Sequence, residues 1–400
     1  VSGTSGYTGG PYCTSAITKP SALTDWPVST TGQAAVTTDT GRSGPRSDPH
    51  NSDNVLVITG LSRKNKRHYG PLAAVAEQTT LVALDPPHDI DDARYVEPPA
   101  VGPRPLRVLC LLFVALYEGY RHEYDAVVSI SLVPYGLYAL ILKAVYGYPA
   151  HLGIIGIDLD HHAEQWYGDL PRWAFRRFDA VSVPGSVHAG RLIQLGVSPD
   201  RIEILTNAID TDQYEPPADE IDPTYEFMWI GRFSDEKDPL RFAESLITLD
   251  QRGAEFNAVM VGDGPLRSAV ENRLADHGLA DRVTFPGWVD DPLTYYHQSR
   301  VFVLTSRRDA LPLALVEAMA TGTACITPRV GSVPTLVADG KNGLIVDTRT
   351  PAAFAAAMER CLDEPAYCDA IATAGMAVRS TFSMDQAEAD WRRILQTVRE

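Results

Sequence analysis

Short apolar runs alternate with longer periodic ones along most of this chain. Residues 55–59, 81–84, 126–130, 151–155, 180–183 and 202–205 have the length and composition of strands. Between them, residues 70–78, 106–120, 135–145 and 186–195 carry the spacing of helices. This alternation predicts βαβ units and so a parallel, doubly wound sheet. A polar, proline-bearing run at 215–223 breaks the pattern and reads as a linker. The alternation then restarts. Strands are expected at 225–230, 257–261, 283–285, 301–304, 324–327 and 344–346, with helices at 239–250, 266–277, 352–362 and 384–398. Residues 1–53 are rich in Ser, Thr, Gly and Pro, have no periodicity, and predict a disordered leader. The expected division is a leader at 1–53, an α/β domain at 54–214, a linker at 215–223, a second α/β domain at 224–383 and a last helix at 384–400.

The chemistry is densest at 301–346. In the helix expected after Leu304, Leu311, Leu315, Ala318 and Met319 form one apolar stripe. Pro312 suits the first turn and Gly322 the stop. Asp309 lies just before this helix. Glu317 lies inside it, on the face of Leu313 and Ala320 rather than on the main stripe. Free N–H groups around Leu311 to Leu313 would make an anion site. Two acids flanking such donors suit a sugar nucleotide. A helix cap at Asp309 and a solvated Glu317 fit these residues equally well.

Further candidates follow strand ends, which face the crevice of an open α/β sheet. The loop Gly231-Arg232-Phe233-Ser234-Asp235-Glu236-Lys237 brings two cations there, and Arg232 and Lys237 can neutralise a diphosphate leaving group. The run Val261-Gly262-Asp263-Gly264-Pro265-Leu266 invites a dinucleotide reading, which fails because Arg267 stands where the third glycine belongs. A basic cluster at 61–68, with Ser62, Arg63 and Lys64, can grip a phosphate on an acceptor or on the donor; a solvated basic turn is the alternative. After the strand at 151–155 comes Gly156-Ile157-Asp158-Leu159-Asp160-His161-His162.

The segment Ser306-Arg307-Arg308-Asp309-Ala310-Leu311-Pro312-Leu313, continuing to Glu317-Ala318-Met319-Ala320-Thr321-Gly322, resembles the signature of the retaining glycosyltransferases of family 4. One residue departs from it: the family's first Glu is Asp309 here, one methylene shorter. Val330, Gly331, Pro334, Asp339, Gly340, Asn342 and 343–346 continue the match downstream. The resemblance implies a GT-B fold: two Rossmann-like doubly wound domains facing across a cleft, with the last helix crossing back to the first. It implies transfer, with retention, from a nucleotide-diphosphate sugar to a hydroxyl of a glycan, lipid or other small acceptor. In it Arg232, Lys237, Leu311 and Leu313 hold the diphosphate. Glu317, Val316, Gly287 and Trp288 lie at the nucleoside. Asp309, with Asp158 and His161, serves the reacting sugar. No cofactor and no metal are implied, since the cationic loop does the metal's work. A nucleotide-sugar-binding protein without turnover, and a sugar-nucleotide epimerase on the same fold, are the rival readings.

Composition narrows the setting. The net charge of −16, with six lysines, argues against a nucleic-acid partner. It fits a high-salt cytoplasm or a GC-rich genome alike. Five cysteines in no metal-binding spacing fit a reducing cytoplasm. The sequence shows no signal-peptide pattern and no apolar run of spanning length. A cytoplasmic enzyme is expected, for which a peripheral contact at the membrane face is allowed.

Overall fold

Both sheets of the protein are parallel throughout. The computed structural model describes residues 53–60, 65–100, 102–154, 169–218 and 222–400. The first sheet holds β1 (Asn54–Thr59), β2 (Gln78–Ala83), β3 (Ala93–Val96), β4 (Ala126–Ile130), β5 (Ala150–Gly153), β6 (Ala180–Val183) and β7 (Ile202–Ile204), in the order β3-β2-β1-β4-β5-β6-β7. The second holds β8 (Tyr225–Ile230), β9 (Ala258–Val261), β10 (Val283–Gly287), β11 (Ser299–Val303), β12 (Ala324–Pro328) and β13 (Leu344–Val346), in the order β10-β9-β8-β11-β12-β13. In each sheet the winding reverses beside the first strand, between β1 and β4 and between β8 and β11. Loops that leave the carboxyl ends of those strand pairs splay apart and leave a crevice.

Helices cover both faces of each sheet, so the central strands are apolar almost without interruption. Every residue of β4 and of β9 is buried. Phe227, Trp229 and Met260 pack into one core of the second domain with the helices Pro239–Gln251 and Pro351–Asp363. Leu56, Val127 and Leu152 pack into the core of the first with the helices Arg104–Arg121 and Leu137–Tyr146. Ile209 and Tyr214 already belong to the second domain's core, and the Ile209 N–H donates to the Phe382 carbonyl at 2.9 Å.

The helix Met384–Arg399 returns to the first sheet. Ser383 caps it by accepting from the Gln386 N–H at 3.1 Å. Trp391, Ile394, Leu395 and Val398 are buried against Val55, Val57, Tyr69 and Leu72. Arg393 pairs with Glu203 at 2.6 Å, Arg399 pairs with Asp53, and Asp390 accepts from the Thr206 N–H at 2.8 Å. The two α/β units are therefore tied by this helix as well as by the chain at 209–218.

The structure corrects the sequence reading in places. The first helix is Asn65–Val75, so Arg67 and His68 are helical and Gln78 opens β2. β3 was not expected, because a short half-exposed edge strand containing Arg94 has little apolar pattern. The helices Asp169–Phe175, Leu293–His297 and Pro365–Gly375 also went unread, the first two being short and the third burying mostly small side chains at Cys368, Ala372 and Gly375.

One buried group ties this core to pH. His151 on β5 is fully buried, with its Nε2 2.9 Å from Ser182 Oγ and its ring 5.1 Å from Trp391. Desolvation lowers its pKa from 6.5 to about 3. The folded state thus keeps His151 neutral while the unfolded chain takes up a proton, so this contribution is full above pH 6.5 and is lost as the pH falls toward 3. We expect the urea midpoint to drop below pH 6.5 and His151→Gln to flatten that slope. An equal slope in both proteins would contradict the assignment.

Candidate functional site

The loops that follow β8 and β11 meet at the second sheet's switch point. The first runs from Gly231 to Asp238 and carries Arg232 and Lys237. Its start is pressed against the loop after β9: the Gly231 N–H donates to the Val261 carbonyl at 3.0 Å, and a Cβ at Gly262 (φ 127°) would lie 2.0 Å from the Gly231 carbonyl oxygen. Only glycine fits there. That explains the 261–266 motif as a backbone contact rather than a dinucleotide cradle. Arg267 instead spans Glu271 at 2.7 Å and the Phe285 carbonyl at 3.2 Å.

The far end of the loop is held by a buried polar network. Trp229 Nε1 donates to Thr305 Oγ1 at 2.9 Å. The Thr305 hydroxyl lies 3.0 Å from the Lys237 carbonyl and 2.9 Å from that of Asp238. Asp238 is left-handed (φ 52°) and buried, and its carboxylate receives Arg349 at 2.7 Å and Arg307 at 3.3 Å. Arg349 also donates to the Thr305 carbonyl at 2.7 Å. Lys237 thereby leaves a fixed backbone. Its Nζ meets Asp309 Oδ2 at 2.5 Å.

Asp309 comes from the loop after β11. The helix behind it is Leu313–Ala320, with Pro312 at the N-cap position and no side-chain cap. Asp309 is therefore the partner of Lys237 and not a helix cap. Among the described residues the N–H groups of Leu311, Leu313 and Ala314 meet no acceptor. Gly331 (φ 47°) closes over the loop, since a Cβ there would lie 1.8 Å from the Asp309 carbonyl oxygen.

Glu317 is 8% exposed. The expected split of this helix into an apolar stripe and a polar face fails because every residue from Leu315 to Ala320 is buried. Glu317 Oε1 pairs with Arg67 of the first domain at 3.1 Å, and Oε2 accepts from the Tyr296 hydroxyl at 3.1 Å. Burial first, and the Glu317 charge after it, push the Tyr296 hydroxyl well above its usual range, so it remains a donor. Val316 is wholly buried, and its N–H lies 3.4 Å from the Pro312 carbonyl.

Between the domains lies a cleft of about 460 Å³. His68, Ser182, Thr206 and Asn207 line it from the first domain; Lys237, Arg308, Asp309 and Leu311 line it from the second. Asn207 Oδ1 is buried and without a partner among the described residues. Arg232 is exposed and Trp288 is 64% exposed, beside Gly287 (φ 84°) at the end of β10. Ser62, Arg63, Lys64, Asp158 and His161 lie outside the described residues. No cluster of three or more metal-ligating side chains occurs among the described residues. Sequence reasoning missed Thr305, Asp238, Arg349, Tyr296 and the partnership of Arg67. None stands in a motif, and only the pairing of distant loops brings them together.

Family comparisons agree with this geometry. A model described as Glycosyltransferase Family 4 matches residues 72–213, and one described as Glycosyl transferases group 1 matches residues 224–364. The chain belongs to this glycosyltransferase family and has the GT-B fold. Over 184 residues it is 28% identical to the UDP-Gal:alpha-D-GlcNAc-diphosphoundecaprenol alpha-1,3-galactosyltransferase of Escherichia coli, covering 43% of this chain and 48% of that protein. Over 197 residues it is 33% identical to the D-inositol 3-phosphate glycosyltransferase of Acidothermus cellulolyticus, covering 44% of each. The chain thus spans about half the length of the curated relatives it matches. Among solved structures, HepE of Anabaena in complex with UDP superposes with a TM-score of 0.72 at 17% identity, over 86% of this chain and 100% of that one.

The anchoring network makes its own prediction. Arg349→Ala strips the buried Asp238 carboxylate and the Thr305 carbonyl of a charged donor, and should cost ~1–3 kcal/mol in urea unfolding. A change within error would show that Arg307, together with Arg241 at 3.7 Å from the same carboxylate, suffices.

Proposed function

We propose that this protein transfers a sugar, with retention of configuration, from a nucleoside-diphosphate sugar to a hydroxyl on a glycan, lipid or other small acceptor. The observation that carries the reading is the convergence of Lys237, Asp309 and unpaired N–H groups at one switch point, with Arg232 on the same loop. Family membership and the printed activities of the relatives support it.

In this reading the donor diphosphate lies across the Gly231–Asp238 loop. Charge grows on its oxygens as the sugar–oxygen bond breaks. Lys237, Arg232 and the N–H groups of Leu311 and Leu313 are already placed to receive that charge. Asp309 divides its attention between Lys237 and a hydroxyl of the departing sugar. Glu317 takes the ribose hydroxyls by exchanging Arg67 for them. Trp288 and Gly287 border the base. The acceptor enters against Ser182, Thr206 and Asn207, and its hydroxyl attacks from the face the diphosphate leaves. UDP-hexoses are the first donors to try, since UDP and UDP-glucose are bound by the HepE structures.

The test is radiolabelled transfer and donor hydrolysis with UDP- and GDP-hexoses. Arg232→Ala and Lys237→Ala should each lower turnover by on the order of 10²-fold or more. Wild-type rates in both would overturn the diphosphate assignment. Asp309→Asn should lower turnover while its melting temperature changes little, because the pair keeps some water contact and the amide oxygen still accepts from Lys237. A large loss of stability with normal turnover would make Asp309 a structural residue. Donor binding with neither transfer nor hydrolysis would leave a binding protein, and isomerised donor an epimerase.

A further inference from the structure

Among the described residues, every exposed large apolar side chain except Trp288 lies in the first domain. The densest set is on the helix Arg104–Arg121. Its inner face is buried through Leu111, Ala115, Glu118 and Gly119. Its outer face is apolar too: Leu106, Leu109, Phe113, Tyr117 and Tyr120 recur at intervals of three or four, with Phe113 61% and Tyr120 77% exposed. A helix apolar on both faces is not finished by its own core. The neighbouring helix Leu137–Tyr146 extends the surface with exposed Ile141 and Val145. The two helices are locked side by side, for Tyr138 and Tyr146 donate to the carbonyls of Val108 (3.2 Å) and Leu116 (2.8 Å).

Charge says what covers this face. The chain is strongly acidic, at −16. Yet these two helices carry a single carboxylate, Glu118, which is buried and paired with Arg94; of their cations, Arg107 and Lys143 are taken by Asp85 and Asp179, and Arg104 and Arg121 remain exposed. No carboxylate is exposed on either helix. Arginines stand at both ends of the apolar stripe, and Arg121 lies 5.9 Å from the Tyr117 ring. A second copy of the chain fits poorly. Pairing the stripe with itself in either direction brings arginine onto arginine. An anionic bilayer surface fits: apolar and aromatic side chains enter the headgroup boundary while arginines hold phosphates.

We infer that the outer face of the helices Arg104–Arg121 and Leu137–Tyr146 docks this protein on an anionic lipid surface. The docked face connects to the carboxyl ends of two strands of the first sheet. Arg107 pairs at 2.6 Å with Asp85, just past the carboxyl end of β2, and Tyr135 packs on Gly60, just past that of β1. Of these two strands, β1 borders the first sheet's crevice, and Tyr135, just before the helix Leu137–Tyr146, links the docked face to it. The docking itself does not rest on the transferase reading, because it is measured without any substrate.

The test is flotation of the full chain with phosphatidylcholine vesicles, with and without phosphatidylglycerol. Binding should require the anionic lipid and weaken with salt. Phe113→Glu, and independently Tyr120→Glu, should reduce the bound fraction about tenfold or more, as expected for the loss of one buried aromatic. Their melting temperatures should match wild type. Lys341→Glu, which adds negative charge on the second domain, should bind as wild type does. Absence of vesicle binding by the wild type, or equal binding by wild type and both glutamate variants, would overturn the proposal. So would a wild-type dimer that Phe113→Glu dissociates without any vesicle binding.

Discussion

The 2.5 Å pair between Lys237 and Asp309 is the contact on which the arrangement of the cleft depends. It joins the loop after β8 to the loop after β11, the two loops that part at the second sheet's switch point. Without a carboxylate, Lys237 would add its full charge to an exposed Arg232 on the same loop. With it, the cation is held in place and its charge partly balanced. The pair itself contributes little to stability, since both side chains keep some water contact. Its value is positional. A lysine is a flexible point charge, and fixing it by a buried backbone at one end and a carboxylate at the other prepares it for a diphosphate.

The supporting network follows from that requirement. A left-handed aspartate costs strain, on the order of 1–3 kcal/mol, and persists only where the surroundings over-determine it. At Asp238 they do so through Arg349, Arg307 and Arg241, while Thr305 takes up the neighbouring carbonyls. Across the cleft, the Arg67–Glu317 pair is the one direct ion pair between the first helix of one domain and the signature helix of the other among the described residues. Its exchange for ribose hydroxyls would couple donor arrival to the spacing of the two domains.

Much of this was legible in the sequence. Parallel strands buried on both faces write themselves as apolar runs, so most of the central strands of both sheets were found within a few residues. The loop Gly231–Asp238 and Asp309 stand where motifs place them, after the ends of β8 and β11, with Glu317 in the helix that follows Asp309. What stayed hidden was whatever depends on partners far apart in the chain. Arg349 lies 111 residues from Asp238, and Arg67 lies 250 residues from Glu317. No periodicity links such positions. Glu317 was read as facing away from the core because helical spacing describes one face packed on one neighbour, whereas the helix Leu313–Ala320 is enclosed on all sides. The outer face of Arg104–Arg121 was hidden for the converse reason, since an apolar stripe reads as core until its exposure is known.

The central claim is that Lys237 serves a diphosphate and that Asp309 holds Lys237 while serving the sugar. Calorimetric titration of UDP, with GDP as the second nucleotide, into wild type, Lys237→Ala and Asp309→Ala tests it most directly. UDP carries no sugar. The account predicts that Lys237→Ala weakens its binding about tenfold or more, as for loss of a charge-assisted contact, while Asp309→Ala, which leaves the lysine its charge but not its fixed position, weakens it less. Equal affinity in wild type and Lys237→Ala, or a loss in Asp309→Ala as large as that in Lys237→Ala, would contradict it.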